Sequence, residues 1–248
     1  MFRKLFASQL IVLTLLFFSV KTTKASLLTI SSNGTASWNV LAFETDLAYI
    51  KPNNSSLQLK KVASESNLAA NSSIILKAVD NTTSLTVIDD SGKRQADVTN
   101  ITGDIVEIEQ ITSPQTIKIS NSSSNGFTIS NQGISATTNS PIQIDPGNKE
   151  ISVQTSSGFQ YLSILPNEAV AGVFKANLIN KLSPDVILTL SENTQGNLNY
   201  LLSGSKIFEI FKIFELEIPV QATVSASTGQ IVEINQPIWY SLLGFLLT

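Results

Sequence analysis

The chain contains neither cysteine nor histidine. Without histidine there is no imidazole general base near neutral pH, no Ser-His-Asp triad and no imidazole metal ligand. Without cysteine there is no thiol nucleophile, no disulfide and no structural zinc centre. Charge is also sparse: only 14% of the residues are charged, and 19 acids stand against 16 bases. An acidic balance repels phosphate backbones, and no run of Lys and Arg with interleaved aromatics offsets it, so nucleic acid is not an expected partner. No Gly-x-Gly-x-x-Gly loop, phosphate loop or Asp-x-Asp-x-Asp-Gly calcium loop occurs. No cofactor or metal is therefore expected.

The 248 residues are 42% hydrophobic, enough apolar side chain to bury a core. Residues 1–25 read as an export signal. Arg3 and Lys4 precede an apolar run from Leu5 to Val20, and Thr23-Lys24-Ala25 offers small residues for a cut after Ala25. The run is shorter than the roughly 20 residues of a membrane span. Lys21 and Lys24, close to the cut, keep an uncleaved anchor open as the alternative. Cleavage would remove four bases and no acid, taking the net charge from −3 to −7.

The remainder reads as strands and turns. From Ser26 to Asn100, short apolar bursts such as Leu27-Leu28-Thr29-Ile30, Ile74-Ile75-Leu76 and Leu85-Thr86-Val87-Ile88 lie between turns. The turns include Asn33-Gly34 and Asp89-Asp90-Ser91-Gly92. Trp38, Val40 and Ala42 share one side of an extended segment, and Lys51 to Ala70 is weaker in pattern. From Ile101 to Leu165 the alternation sharpens at Val106/Ile108, Ile117/Ile119, Phe127/Ile129, Ile142/Ile144 and Ile151/Val153. Period 2 with one polar face marks half-buried antiparallel strands. One helix is expected, from Pro166 to about Lys181, with Ala169, Val170, Val173, Phe174, Leu178 and Leu182 on one face. After it come strands at Val186–Leu190 and Asn199–Leu202, an apolar stretch at Ile207–Phe214, and a strand carrying Leu216, Ile218, Val220, Ala222, Val224 and Ala226 on one side. Thr228-Gly229 turns this strand, and Val232 and Ile234 alternate on the return.

The expected fold is mainly β: an antiparallel β-sandwich-like N-terminal region followed by a small α+β domain, one helix on an antiparallel sheet. The expected division is 1–25 signal, 26–100 and 101–165 β-rich (one unit or two), 166–235 α+β, and 236–248 an apolar tail.

Asn167-Glu168-Ala169 opening a helix, Gly196-Asn197-Leu198-Asn199-Tyr200 opening a strand, and the hairpin from Val224 through Thr228-Gly229 to Val232 resemble a PepSY domain. The resemblance covers about residues 166–235. It implies a short helix on a small antiparallel sheet and a non-catalytic, inhibitory or chaperoning role. The whole chain resembles exported proteins of bacteria with small genomes.

Candidate chemistry is confined to carboxylates and hydroxyls. Asp89-Asp90 sits in a turn, where Asp serves backbone hydrogen bonding. Glu107/Glu109 and Glu215/Glu217 each share a strand face and could act as acid and base, or simply form a solvated face. Ser91-Gly92-Lys93 lacks the Ser-x-x-Lys spacing. No catalytic, cofactor-binding or metal residue is assigned. Asn-x-Ser/Thr triplets begin at Asn33, Asn53, Asn54, Asn71, Asn81, Asn100 and Asn121. They are glycan acceptors in a eukaryote and turn chemistry in a bacterium, the preferred reading. The tail from Ile238 to Leu247 is too short to span a bilayer. It either folds back on the last sheet or helix, or lies at a membrane interface or in a partner's groove, with Trp239 and Tyr240 half wet. The expectation is an exported, non-catalytic binding or structural module at the cell surface or in the periplasm, with a protein partner or the envelope as its target. A peptidase inhibitor or modulator and a carboxylate-only hydrolase are the alternatives.

Overall fold

The structure, a computed structural model, describes residues 26–38, 72–110, 116–123, 125–183, 187–210 and 214–243. The signal segment, Val40, Ala42, Lys51–Ala70 and the triplets at Asn53, Asn54 and Asn71 lie outside these residues.

The protein is mainly β. Among the described residues the strands are β1 (Leu28–Ile30), β2 (Ala36–Trp38), β3 (Ser73–Val79), β4 (Thr82–Asp89), β5 (Gly92–Asp97), β6 (Asp104–Glu109), β7 (Thr116–Ser122), β8 (Gly126–Asn131), β9 (Ile134–Thr138), β10 (Ile142–Asp145), β11 (Glu150–Thr155), β12 (Gly158–Tyr161), β13 (Lys181–Leu182), β14 (Ile187–Glu192), β15 (Leu198–Ile210), β16 (Phe214–Ser225) and β17 (Ile231–Asn235). Two helices join them, α1 (Pro166–Lys175) and α2 (Ile238–Leu243). The strands form two sheets, and neither closes into a barrel. The larger runs β17-β16-β15-β14-β9-β8-β7-β6-β1-β2, with β13 also on β15; the smaller runs β12-β11-β10-β3-β4-β5.

The alternating residues face the core as their spacing requires. Ile74, Leu76, Leu85, Val87, Ile142, Ile144 and Val153 of the smaller sheet and Val106, Ile108, Ile119, Phe127 and Ile129 of the larger are fully buried. They join one cluster with Ala169, Val170 and Val173 of α1 and with Tyr200, Leu202, Ala222 and Val224 of the C-terminal strands. Strand β8 touches both β3 and α1, so the smaller sheet and the helix share the buried face of the larger sheet.

The strands are not all antiparallel as expected. β1 runs parallel to β6, with Leu28 opposite Val106, and β9 runs parallel to β14, with Ala136 opposite Leu188. Parallel neighbours need a crossover, and the smaller sheet supplies both. The chain leaves the larger sheet after β2, builds β3–β5 in the smaller one and returns as β6. It leaves again after β9, builds β10–β12 and returns through α1 and the short β13 to β14. Antiparallel pairing of β10 with β3 unites the two excursions. Strands from before and after residues 100 and 165 are thus hydrogen-bonded within the same sheets.

The helix is also shorter than expected, ending at Lys175 rather than near Lys181. Asn177 takes the left-handed conformation, φ 55°. The Asn177 N–H donates to Phe174 O at 2.9 Å and the Leu178 N–H to Val173 O at 3.3 Å, a Schellman ending with Asn in the place glycine usually holds. Leu178 and Leu182, which continue the helical spacing, lie beyond this stop, and Phe174 is exposed. At the other end, the Leu165 N–H donates to Glu168 Oε2 at 2.8 Å, satisfying one of the donors that a helix start leaves open.

The apolar stretch Ile207–Phe214 does not stand apart. β15 and β16 form one long hairpin, paired from Asn199 opposite Ser225 out to Ile210 opposite Phe214. Flanking strands cover only its base: β14 pairs Leu198–Leu201, β13 pairs Gly204 and Ser205, and β17 pairs Gln221–Val224. Over Lys206–Ile210 and Phe214–Ile218 the ribbon continues as an arm with no neighbouring strand among the described residues.

Candidate functional site

Of the carboxylates singled out in the sequence, Asp89, Glu107, Glu109 and Glu217 are bound into local structure. Asp89 Oδ1 accepts the Ser91 N–H at 2.9 Å and the Ser91 hydroxyl, and Oδ2 pairs with the Arg94 guanidinium. The Ser91 hydroxyl bond, with Arg94 assisting, holds the Asp89 carboxyl below its ordinary range, against desolvation. The Ser91-Gly92-Lys93 hydroxyl is thus turned onto Asp89, and Asp90 is exposed at the hairpin tip. Asp97 is held low in the same way by the Thr99 hydroxyl and N–H. Glu107 accepts the Ser26 hydroxyl at 2.6 Å and lies 4.0 Å from Lys118, which donates to Asp104 at 2.9 Å. That Asp104 bond raises the Lys118 ammonium above its ordinary value, with burial opposing it. Glu109 accepts the Ser32 N–H at 3.2 Å. Glu107 and Glu109 therefore hold the segment around β1 against β6 and do not face each other across a cleft.

Four Asn-x-Ser/Thr positions are described, and three of them serve turns or loops. Asn33 Oδ1 accepts the Thr35 N–H at 3.0 Å, and Asn81 sits at φ 63° in the β3–β4 turn. The Asn121 amide donates to Val98 O at 2.8 Å and Ile101 O at 3.1 Å, tying the loop before β6 to β7. Asn100 is exposed.

A cavity of about 220 Å³ opens beside the start of α1, lined by Gln110, Lys149, Glu150, Tyr161 and Glu168 among others. Two of its charges are already engaged. Glu168 holds the helix start, and the Lys149 ammonium donates to the Ser32 carbonyl. Among the described residues no three His, Cys, Asp or Glu side chains converge as a metal site.

The arm is where unused surface collects. Alternation gives it two unlike faces. Lys206, Phe208, Phe214, Leu216 and Ile218 share one face by register; Ile207, Glu209, Glu215 and Glu217 share the other. On the acidic face Glu209 stands directly opposite Glu215. Glu217 accepts the Ser205 hydroxyl at 2.6 Å and Lys181 at 3.3 Å, and those two bonds, Ser205 first, hold its carboxyl below the ordinary range. On the apolar face Ile218 is fully buried outside the main cluster, and the tail returns to Phe208, whose ring lies 5.7 Å from that of Tyr240. Trp239 stacks edge-on at 6.2 Å from Tyr240. The fold-back of the tail is thus real at Tyr240, whereas Ile238 and Trp239 remain 79% and 44% exposed, and Phe214 near the arm's tip is 67% exposed.

The arm's base is anchored by a group that sequence reasoning did not single out. Lys206 is buried, and its ammonium donates to the Asn177 carbonyl at 2.6 Å and to the Asn177 side chain, with the Phe208 ring 5.7 Å away. A cation at a helix C-terminus complements the helix dipole. Spacing alone could not show it, because Lys206 occurs in a strand 29 residues from Asn177.

No helix among the described residues is long and apolar enough to cross a membrane. No protein-family model matches the chain, and neither the curated proteins nor the solved structures give a match.

Proposed function

We propose that the chain is an exported, non-catalytic β-rich protein that serves as a binding or structural module at the cell surface or in the periplasm. In this reading the two sheets form a sandwich-like body and α1 closes its C-terminal part. The basic start and the run from Leu5 to Val20 support export. The observation that carries the binding role is exposed apolar surface on the arm and the tail, with Phe214 67%, Ile238 79% and Trp239 44% exposed. Exposed apolar surface of this kind marks interaction sites. Asp89, Glu107, Glu109 and Glu217 are meanwhile engaged in turns and lacing bonds, the work of a scaffold.

Cell fractionation tests it. The wild-type protein is expected in the envelope fraction and cleavable by protease added to intact cells. Phe214→Ser with Trp239→Ser is expected to melt like the wild type and to leave the envelope fraction. Protease-resistant protein confined to the cytosol would refute export, and full retention of the double variant would refute the arm's role.

A second reading is favoured by the helix α1 followed by the antiparallel run β14–β17, in the section that resembles PepSY. Here the section would occupy a peptidase, and inhibition of a co-encoded protease by the purified chain is the test.

A further inference from the structure

We infer that the exposed edge of the smaller sheet, β12 with the cavity at its end, is a binding site for a neutral, flat-faced glycan, a β-linked hexose chain. The inference goes beyond the envelope reading above and makes no use of the arm. Register supplies the site. On β12, Phe159 stands opposite Gln154 and Tyr161 opposite Ser152, while Gln160 between them stands opposite the fully buried Val153. Phe159 and Tyr161 therefore share the outer face, two residues and about 7 Å apart along the strand. They are 42% and 60% exposed, and among the described residues no ring contact engages either one. Two neighbouring aromatic rings kept in water on a strand mark an interaction surface.

The polar groups around the rings are free to pair. Gln154, Tyr161 and Glu150 are exposed, and among the described residues their side chains make no hydrogen bond or ion pair. Just past Tyr161 the cavity of about 220 Å³ opens, lined by Tyr161, Glu150, Ser163 and Gln110 among others. It is smaller than the roughly 300–1,000 Å³ of a drug-sized site and richer in polar groups. It therefore suits one small hydroxylated ring better than an apolar ligand.

A hexose chain matches each part. The C–H face of a sugar lies on an aromatic ring, and its hydroxyls pair with amide and carboxylate groups such as those of Gln154 and Glu150. Rings set along one strand and a cavity at the strand's end fit a linear chain laid along β12. The Glu150 carboxylate accepts from neutral sugar hydroxyls and repels uronates. A peptide would instead add to the edge as a strand. For that β12 offers only the four residues Gly158–Tyr161, and Gln160 already laces them to the Gly196 carbonyl at 2.6 Å and the Leu198 N–H at 3.2 Å. So short an edge is a poor template.

Calorimetry on the full chain with cellohexaose and chitohexaose tests the site. At least one of the two is expected to bind with Kd below about 1 mM, and polygalacturonate is expected to bind more weakly. Tyr161→Ser is expected to weaken binding about tenfold, equal to about 1.4 kcal/mol, with Tm unchanged because the ring is exposed. Tyr161→Phe, which keeps the ring, should retain most of the affinity, and Glu150→Gln should lose part of it. Absence of binding to both hexaoses overturns the inference. So does full affinity in Tyr161→Ser and Phe159→Ser alike, or a preference for polygalacturonate. A dimer in light scattering that Tyr161→Ser dissociates would show a second copy on the rings, and would overturn it as well.

Discussion

Tyr200→Phe removes one oxygen from the middle of the protein and tests how the C-terminal strands are joined to the rest. Tyr200 is fully buried in β15, and its hydroxyl donates to the Ile164 carbonyl at 2.8 Å, in the segment leading to α1. The ring volume is kept, so no cavity forms. What is lost is one hydrogen bond, worth about 0.5–1.5 kcal/mol net, and the Ile164 carbonyl loses its partner, which raises the cost to about 1–3 kcal/mol. For a domain of this size each kcal/mol moves Tm by about 2–4 °C, so a loss of about 2–12 °C is expected at neutral pH. The pH dependence makes the test sharper. Burial, with the Glu168 charge adding to it, pushes the Tyr200 hydroxyl well above its ordinary value. The unfolded chain therefore releases this proton near pH 10 while the folded chain still holds it. Above that pH the unfolded state binds fewer protons, and stability falls with rising pH by about 1.4 kcal/mol per unit for this one group. Its contribution is complete below about pH 10 and is progressively lost above it. Phenylalanine cannot titrate, so the gap between wild type and variant in urea melts should be constant from pH 7 to 9 and close within about one to two units above pH 10. A gap that persists unchanged into strong alkali, or that is absent at pH 7, would show that Tyr200 is not the buried donor the structure describes.

Lys206→Met, which keeps much of the stem volume, is expected to cost about 1–3 kcal/mol through the abandoned Asn177 carbonyl, and to speed amide exchange at residues 176–182. Unaltered exchange there would detach Lys206 from the helix end. Gly204→Val should destabilise by about 1–3 kcal/mol, because a Cβ at Gly204 would stand 2.9 Å from the Lys181 carbonyl and 3.0 Å from Ile179; a wild-type melt would refute this close approach. Asp89→Asn should loosen β4–β5. Because the folded carboxyl is held low, its contribution is present above the unfolded value near pH 4 and lost as the pH falls through the folded one. Exchange at Gly92–Asp97 should accordingly rise on acidification in the wild type and be fast at all pH in the variant. Truncation after Pro237 removes the Tyr240–Phe208 contact, worth about 0.5–1.5 kcal/mol, and should lower Tm by a few degrees at about 2–4 °C per kcal/mol. An unchanged Tm would mean that the tail does not pack.

The strands were legible because alternation is a local signal. Val106/Ile108, Ile142/Ile144 and the series from Ile218 to Ala226 bury the side that their spacing marks, while Leu216, farther out on the arm, is only half-buried. Strand partnership was not legible, since period 2 reads the same in parallel and antiparallel neighbours. The β1–β6 and β9–β14 pairings depend on where the chain goes in between. The helix end was misplaced because Leu178 and Leu182 continue the 3.6-residue spacing past Asn177, whose left-handed turn is fixed by a backbone conformation and by Lys206 from a distant strand. β5 escaped notice because Gly92-Lys93-Arg94-Gln95 carries no apolar alternation: it is an edge strand, and its charges guard that edge. In the candidate site, the apolar content of Ile207–Phe214 and of the tail was plain, but their meeting at Phe208 and Tyr240 depends on a hairpin register that composition does not encode.

The two parallel seams also govern how the molecule comes apart. Each rests on three paired positions, Leu28–Ile30 with Val106–Ile108 and Ser135–Thr137 with Ile187–Thr189. Each also joins segments separated by a complete excursion into the other sheet, so each carries the loop-closure cost of a non-local contact and is slow to form. Three paired positions make each seam short beside the β15–β16 hairpin, which pairs from Asn199 to Ile210, and losing the β9–β14 pairs would part β14–β17 from β6–β9 in the larger sheet.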